Sequence, residues 1–301
     1  MIQKIVEAIR KPKRVALFLL RKFSGCFSDE LYLKILFRLK MGYPLNLQAP
    51  RTFNEKLQWL KLYNRKPEYT QMVDKYAVKE YVAKLIGEEY IIPTLGVWNR
   101  VEEIDFENLP NQFVLKTTHG GGGGGVVICK DKATFNREEA RKRLQQSLDS
   151  DIYRNFREWP YKNVPRRIIA EQYIEDSRGE CNDYKFSCYR GEVTDVMACL
   201  DRTKGDTKFY FFDSSWRLLR YNKRGLEAPA DFALPAPSHL DSMFELAAIL
   251  SKELPYARVD LYNIDGRIYF GEITFYPASG LDVNLLPETD LLFGSRINLN
   301  V

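Results

Sequence analysis

At 301 residues, 45% hydrophobic and 28% charged, the chain has the composition of an ordinary globular protein and room for one large domain or two smaller ones, which excludes disorder as the default. A formal net charge of +5 is a mild excess that suits a phosphate-bearing ligand or an anionic surface and requires neither. Five scattered cysteines with no C-x-x-C pair argue against a disulfide framework and a zinc site, and only two histidines, His119 and His239, exclude a His-rich metal centre.

The chain starts with a basic stretch. Lys4, Arg10, Lys11, Lys13, Arg14, Arg21 and Lys22 stand against one acid, Glu7, while Ile2, Ile5, Val6 and Ile9 recur at helical spacing. Such a helix reads two ways: packed on its own domain, or lying on an anionic membrane with a basic rim. VALFLL at 15–20 is cut short by Arg21 and Lys22, far from the roughly 20 apolar residues of a membrane span, and no small-residue cleavage site follows. No secretion signal is read. DELYLKILFRLKM is helical up to Gly42, YPLNLQAP is a proline-broken turn, and TFNEKLQWLKLYN is a second helix with Thr52 and Glu55 spaced as a capping box. DKYAVKEYVAKL, 74 to 85, is a further amphipathic helix ending near Gly87.

After Pro93 the texture changes. FVLK, VVICK, RIIAEQYI, DYKFSCYR, EVTDVMACL, KFYFFD, ARVDLYNI and RIYFGEITFY read as strands, with helical stretches between them at 136–154 and 239–253. Tight turns at Arg190-Gly191 and Asp265-Gly266 join strands into antiparallel hairpins. The fold class expected is α+β, entered through a helical front end.

Six consecutive glycines, Gly120, Gly121, Gly122, Gly123, Gly124 and Gly125, separate FVLKTTH from VVICK. A P-loop is absent because Val126 and Val127 follow the last glycine where Lys and Ser or Thr belong. A Rossmann fingerprint is excluded because the next segment is a short β-branched string and not a helix. A hairpin flap whose N–H groups close over phosphates remains, set against a plain linker. Lys116, at the end of the incoming strand, is placed to reach nucleotide phosphates, as a strand lysine does in kinases. His119 is open between three readings: a base, a phosphate contact, or simply a polar loop residue.

Downstream, IIAEQYIEDSRGE (168–180) is suited to a hinge whose backbone pairs with an adenine edge and whose carboxylate holds a ribose. Asp183 and Lys185 share one strand face because side chains alternate with period two, and Arg202 closes the strand VMACLDR. RVDLY and FGEIT straddle the Asp265-Gly266 turn, so that Asp260 and Glu272 face one side across a hairpin and would hold Mg²⁺ against nucleotide phosphates.

With TFNEKLQWLK, DKYAVKEYV, FVLKTTHGGGGGGVVICKDK, IIAEQYIEDSRGECNDYKF, MACLDR and RVDLYNIDGRIYFGEITFYPASG, the sequence resembles the ATP-grasp superfamily, and within it the TupA-like branch named for teichuronopeptide biosynthesis, over about residues 30–296. The resemblance implies an ATP-grasp fold: two α+β lobes with a glycine-rich flap. Residues 1–50 would be a basic helical extension and 51–301 the catalytic module, its small flap lobe near 90–170 and its large lobe near 171–301. It implies ATP held by Lys75, Lys116 and His119, with Gly120 to Gly125 as lid. Glu171, Gln172, Tyr173 and Ile174 would form the adenine hinge and Asp176 the ribose contact. DYK and MACLDR are similar to elements of ribosomal-protein glutamate ligases, placing Lys185 and Arg202 toward the transferred phosphoryl group or the acceptor. RVD and GEIT look like elements of D-alanine:D-alanine ligases, making Arg258 a phosphate or oxyanion stabiliser and Asp260 and Glu272 ligands of Mg²⁺. Thr274 stands where those ligases have asparagine, which leaves one or two Mg²⁺ ions open. The implied reaction is ATP-dependent amide formation through an acylphosphate, joining an amino acid to a uronic-acid or similar carboxylate of a bacterial surface polysaccharide. A phosphotransferase or a glycosyltransferase acting on such a glycan is the alternative. A cytoplasmic location, peripheral contact with anionic membrane through residues 1–24, and no nucleic-acid partner complete the expectation.

Overall fold

A computed structural model of the chain describes residues 12–121, 124–179, 181–200 and 207–300. The helices are α1 (Pro12–Lys22), α2 (Asp29–Met41), α3 (Phe53–Tyr63), α4 (Glu68–Val73), α5 (Ala77–Ile86), α6 (Arg137–Leu148), α7 (Ile152–Phe156), α8 (Lys223–Glu227), α9 (Leu240–Ser251) and α10 (Pro287–Arg296). The strands are β1 (Thr94–Trp98), β2 (Phe113–Thr117), β3 (Val126–Cys129), β4 (Ile168–Gln172), β5 (Asp183–Tyr189), β6 (Glu192–Leu200), β7 (Lys208–Phe212), β8 (Leu218–Leu219), β9 (Ala257–Ile264) and β10 (Arg267–Thr274). They form two compact units, each discontinuous in sequence. Unit 1 takes Met1–Arg65, Asp151–Lys162 and Tyr276–Val301; unit 2 takes Lys66–Ser150 and Asn163–Phe275. The sequence reading for residues 1–11 lies outside the described residues.

Unit 1 is helical. Ser28 caps α2 by accepting a hydrogen bond from the Leu31 N–H, and Gly42 ends it at φ 88°, a conformation that costs glycine little. The apolar face of α2 buries Tyr32, Leu33, Leu36 and Phe37 completely. The capping box of α3 is formed on both sides: Thr52 accepts from Glu55 N–H and the Glu55 carboxylate accepts from Thr52 N–H.

α3 departs from an ordinary amphipathic helix, because Asn54, Gln58 and Lys61 are fully buried. Their spacing of four and three puts them on one face, and that face grips the left-handed run Ala278, Ser279 and Gly280, at φ 48°, 57° and 60°. Gln58 donates to the carbonyls of Ser279 (3.0 Å) and Gly280 (2.6 Å), and Lys61 to the carbonyls of Ser279 (2.8 Å) and Phe156 (2.9 Å). Two non-glycine residues at positive φ are strained, and these bonds to the helix hold them there. At Gly280 a Cβ would stand 2.5 Å from the Gln58 amide nitrogen.

Unit 2 carries both sheets. One has the order β1-β4-β2-β3 and the other β10-β9-β5-β6-β7-β8, and every ladder among the described residues is antiparallel. The turns at Arg190-Gly191 (φ 51° and 83°) and Asp265-Gly266 (φ 50° and 88°) have both central residues left-handed, the geometry that matches strand twist in two-residue hairpins. α6 covers the four-stranded sheet: Ala140, Leu144 and Leu148 join Phe113, Leu115, Val127, Ile168 and Ala170 in one core. α9 covers the six-stranded sheet, with Phe244 edge-on to Phe186 at 5.1 Å. Two strands, β1 and β8, went unread in the sequence. The helical stretch at 136–154 is two helices, because Asp151 takes a β conformation and caps α7 by accepting from the Arg154 N–H.

Candidate active site

The six-stranded sheet sets out a row of charges. On β5, β9 and β10 the partners Lys185, Asp260 and Glu272 lie side by side, with Ser187, Arg258 and Thr274 in the next row. The register that achieves this depends on a bulge. From the Asp265-Gly266 turn the ladder runs Arg267 opposite Ile264 to Phe270 opposite Leu261, then shifts by one so that Glu272 faces Asp260. Without the shift Gly271 would oppose Asp260 and Glu272 would point to the other face. Gly271 makes the bulge feasible, since a Cβ there would sit 2.9 Å from the Asp260 carbonyl oxygen.

Charges then pair closely. Lys185 reaches Asp183 at 2.5 Å and hydrogen-bonds Asp260, while Arg258 grips Asp260 through Nε (2.7 Å) and Nη2 (2.8 Å). The same Nη2 meets Glu272 at 3.3 Å and Thr274 Oγ1 at 3.2 Å. Glu272 also lies 3.5 Å from Lys75, and its side chain stays 38% exposed. Burial pushes the Glu272 carboxyl up, but Lys75, Arg258, Lys185 and Lys116 hold it near 2. Burial also raises the Asp260 carboxyl, against the pull of Arg258 and Lys185.

A second cluster is built on the four-stranded sheet. Glu171 of β4 is buried and pairs with Lys116 of β2 at 2.5 Å and with Lys79 of α5 at 2.6 Å. Lys79 also donates to the carbonyl of Ile92 (2.7 Å) and to Thr94 Oγ1 (2.9 Å). Burial lowers the Lys116 ammonium, yet Glu171 and Tyr262 outweigh it and leave it above the usual lysine value. In all, Lys75, Lys79, Lys116, Lys185 and Arg258 face Glu171, Asp183, Asp260 and Glu272, a surplus of one positive charge among the described residues that favours an anionic ligand. Lys79 and Tyr262 were not singled out in the sequence. Their signals were there: Lys79 stands four residues after Lys75, and Tyr262 continues the alternation Arg258, Asp260.

The glycine flap opens from β2 and closes on β3, with Lys116 opposite Val126. Its end glycines are needed for packing: a Cβ on Gly120 would meet Thr117 Oγ1 at 2.3 Å, and one on Gly125 would meet Ser147 Oγ at 2.2 Å. Those two hydroxyls hydrogen-bond each other at 2.6 Å. At Gly124 a Cβ would meet nothing within 4 Å among the described residues, so bare backbone is open to approach there. Lys75 Nζ donates to the Gly120 carbonyl at 2.6 Å, tying the flap root to the cations. Gly122, Gly123 and Arg202 lie outside the described residues. His119 is 3% exposed, with the backbone of Ser147 and Ser150 facing its ring. Burial, and then Arg166, lower its pKa and keep the ring neutral at pH 7.

The hinge segment is engaged in several ways. Gln172 N–H donates to the Pro93 carbonyl at 3.0 Å. The Tyr173 hydroxyl donates to Glu175 at 2.5 Å, beneath the ammonium of Lys130. Ile174 is half-buried. Asp176 accepts from Arg178 N–H (3.0 Å) and its guanidinium (2.9 Å).

Asp260, Glu272 and Thr274 present hard oxygen donors and no sulfur or imidazole. That donor set fits Mg²⁺, which takes one or two carboxylates and completes its shell with phosphate oxygens and water. No group of three or more His, Cys, Asp or Glu side chains is placed to hold a metal ion among the described residues.

Among solved structures the chain is similar to a D-alanine-D-alanine ligase from Helicobacter pylori, at 16% identity and TM-score 0.44 over 83% of this chain and 70% of that one. It is also similar to the Bacillus anthracis D-alanine-D-alanine ligase complexed with ATP, at 18% and 0.43 over 75% of this chain and 63% of that one. D-alanyl-alanine synthetase A from Vibrio cholerae O1 biovar eltor gives 10% and 0.45 over 81% and 72%. No curated protein matches the chain. The family model described as TupA-like ATPgrasp matches residues 55–298, most of the chain and every charged residue of the two clusters. The chain belongs to the TupA-like ATP-grasp family and is an ATP-grasp ligase.

Proposed function

We propose that the chain is an ATP-dependent carboxylate–amine ligase that joins an amino acid to a uronic-acid or similar carboxylate in bacterial surface-polysaccharide synthesis, acting in the cytoplasm through a catalytic module at residues 51–301. The observation that supports it most is the row Lys185, Asp260, Glu272 with Arg258 beside it and Lys75 and Lys116 converging on Glu272. The glycan assignment rests on the family alone.

ATP, held with Mg²⁺, would supply the phosphoryl group that turns the carboxylate into an acylphosphate open to attack by the amine. Asp260, Glu272 and Thr274 would hold Mg²⁺. Lys75, Lys116 and the glycine flap would hold the phosphates, with the Glu171–Ile174 segment along the base and Asp176 toward the ribose. Lys185, Arg202 and Arg258 neutralise charge that develops on the transferred group. The flap excludes water, which would otherwise hydrolyse the activated carboxylate. His119, neutral and buried, sits at the root of the flap; this reading gives it a flap or phosphate contact, and the amine proton leaves to water or phosphate.

Product analysis tests the proposal. The chain is incubated with ATP, Mg²⁺, a uronic-acid glycan and mixed amino acids. ADP, phosphate and a new amide by mass spectrometry support it. A phosphorylated glycan assigns the chain to phosphotransfer and overturns it, as does release of UDP from a sugar nucleotide.

A further inference from the structure

α1 packs on unit 1 with one side only. Leu17 and Leu20 join Tyr32, Leu36 and Ile35 in a small core. The remaining surface shows large apolar groups to solvent: Phe18 is 64% exposed, Leu19 46%, and Phe23, just past the helix, 49%. Leu31, in the first turn of α2, is 47% exposed.

Cations bracket this strip. Lys13 and Arg14 precede it, Arg21 and Lys22 follow it, all four are exposed, and no acid occurs from Pro12 to Ser28. At 100° per residue, Arg14, Phe18, Arg21 and Lys22 fall on one side of the helix with Leu19 next to Phe18. None of the four cations forms an ion pair among the described residues; Arg21 and Lys22 lie against rings, Phe156 at 5.4 Å from the Arg21 guanidinium and Phe23 at 5.8 Å from the Lys22 ammonium.

Apolar side chains flanked by unpaired Lys and Arg, on a short helix with no acid, complement one surface well: a bilayer rich in anionic headgroups. Phe and Leu enter the boundary between headgroup and acyl chain, and the flexible cations meet lipid phosphates. At 11 residues α1 is about 16 Å long, too short to cross a bilayer, so it would lie along the surface. We propose that the exposed face of α1, with Phe18, Leu19, Phe23, Arg14, Arg21 and Lys22, docks the enzyme on an anionic lipid surface.

Flotation of the full chain with vesicles tests this. Vesicles of phosphatidylcholine with phosphatidylglycerol should carry the protein, vesicles of phosphatidylcholine alone should not, and added salt should release it. Phe18→Ser with Phe23→Ser, and separately Arg21→Glu with Lys22→Glu, should each weaken flotation about tenfold or more while thermal unfolding and ATP hydrolysis stay unchanged. Equal flotation of wild type and both variants overturns the proposal. So does failure to float with the anionic vesicles. A wild-type dimer in analytical ultracentrifugation that Phe18→Ser with Phe23→Ser makes monomeric, without vesicle binding, gives the face to a second copy and overturns it too.

Discussion

Replacing Glu171 by glutamine keeps the shape of the side chain and removes the charge that two lysines share. Glu171 and its partners are all withdrawn from water, with side-chain exposures of 6% for Glu171, 17% for Lys116 and 13% for Lys79. Removing one member of a buried ion pair costs about 3–5 kcal/mol. Here the lower end, about 3 kcal/mol, is expected, because Lys79 keeps its bonds to Ile92 and Thr94 and Lys116 keeps the field of Glu272. The effect carries a pH signature. Burial pushes the Glu171 carboxyl up, and Lys116 and Lys79 pull it below the ordinary range. A depressed carboxyl stabilises the fold above its unfolded pKa of about 4.3, and that contribution fades as pH falls through the folded value. Urea denaturation of wild type and Glu171→Gln, followed by tryptophan fluorescence, should show the full gap at pH 7 and a closing gap below about pH 4.3. Adding Lys79→Met to the variant should return part of the loss, since it removes one of two cations left facing each other. A gap under about 0.5 kcal/mol at pH 7, the scatter of ordinary surface substitutions, would refute this account of β4.

Glu272→Gln should leave circular dichroism unchanged, since the side chain is 38% exposed, and cut ADP release about 100-fold or more; full activity would remove Glu272 from the metal site. Gly271→Ala places a Cβ 2.9 Å from the Asp260 carbonyl, so the bulge must move. A loss of about 1–3 kcal/mol in urea, with turnover falling alongside, is expected, and a variant as stable and active as wild type would show that the register does not depend on glycine. Lys61→Met leaves the Phe156 and Ser279 carbonyls without their lysine donor and should cost about 3 kcal/mol or more. Burial lowers the Lys61 pKa to about 8 against the pull of Glu158, so the unfolded chain binds the extra proton between there and its own value of about 10.4. Wild-type stability attributable to this group therefore rises from pH 8 toward pH 10, and the Met variant should lack that rise in denaturation curves.

The strands that carry charge were readable because period-two alternation is a strong local signal. It set Asp183 with Lys185 on one face. The capping box at Thr52 and Glu55 and the turns at Arg190-Gly191 and Asp265-Gly266 were equally local and formed as read. What escaped depends on partners distant in sequence. Asp260 and Glu272 face each other as expected, but the single extra residue that interrupts the ladder and makes this possible was not read, and plain alternation from the turn would have sent Glu272 away. Asn54, Gln58 and Lys61 were not singled out in the sequence, yet they are buried against segments more than 200 residues later. The glycines at the ends of the flap looked like phosphate contacts, and packing against Thr117 and Ser147 already requires them.

The division of the chain into units has a consequence for synthesis. Unit 2 is complete in sequence once Phe275 is made, whereas unit 1 holds residues up to Arg65 and still awaits Tyr276–Val301. At about 5–20 residues per second, the ribosome takes on the order of 10–40 s to travel from one to the other. Through that interval the buried polar face of α3 has no left-handed turn to grip, and α10 has not yet been made. Helices translated before unit 2 are therefore finished after it, and nascent chains stalled before Tyr276 are the ones expected to need a chaperone.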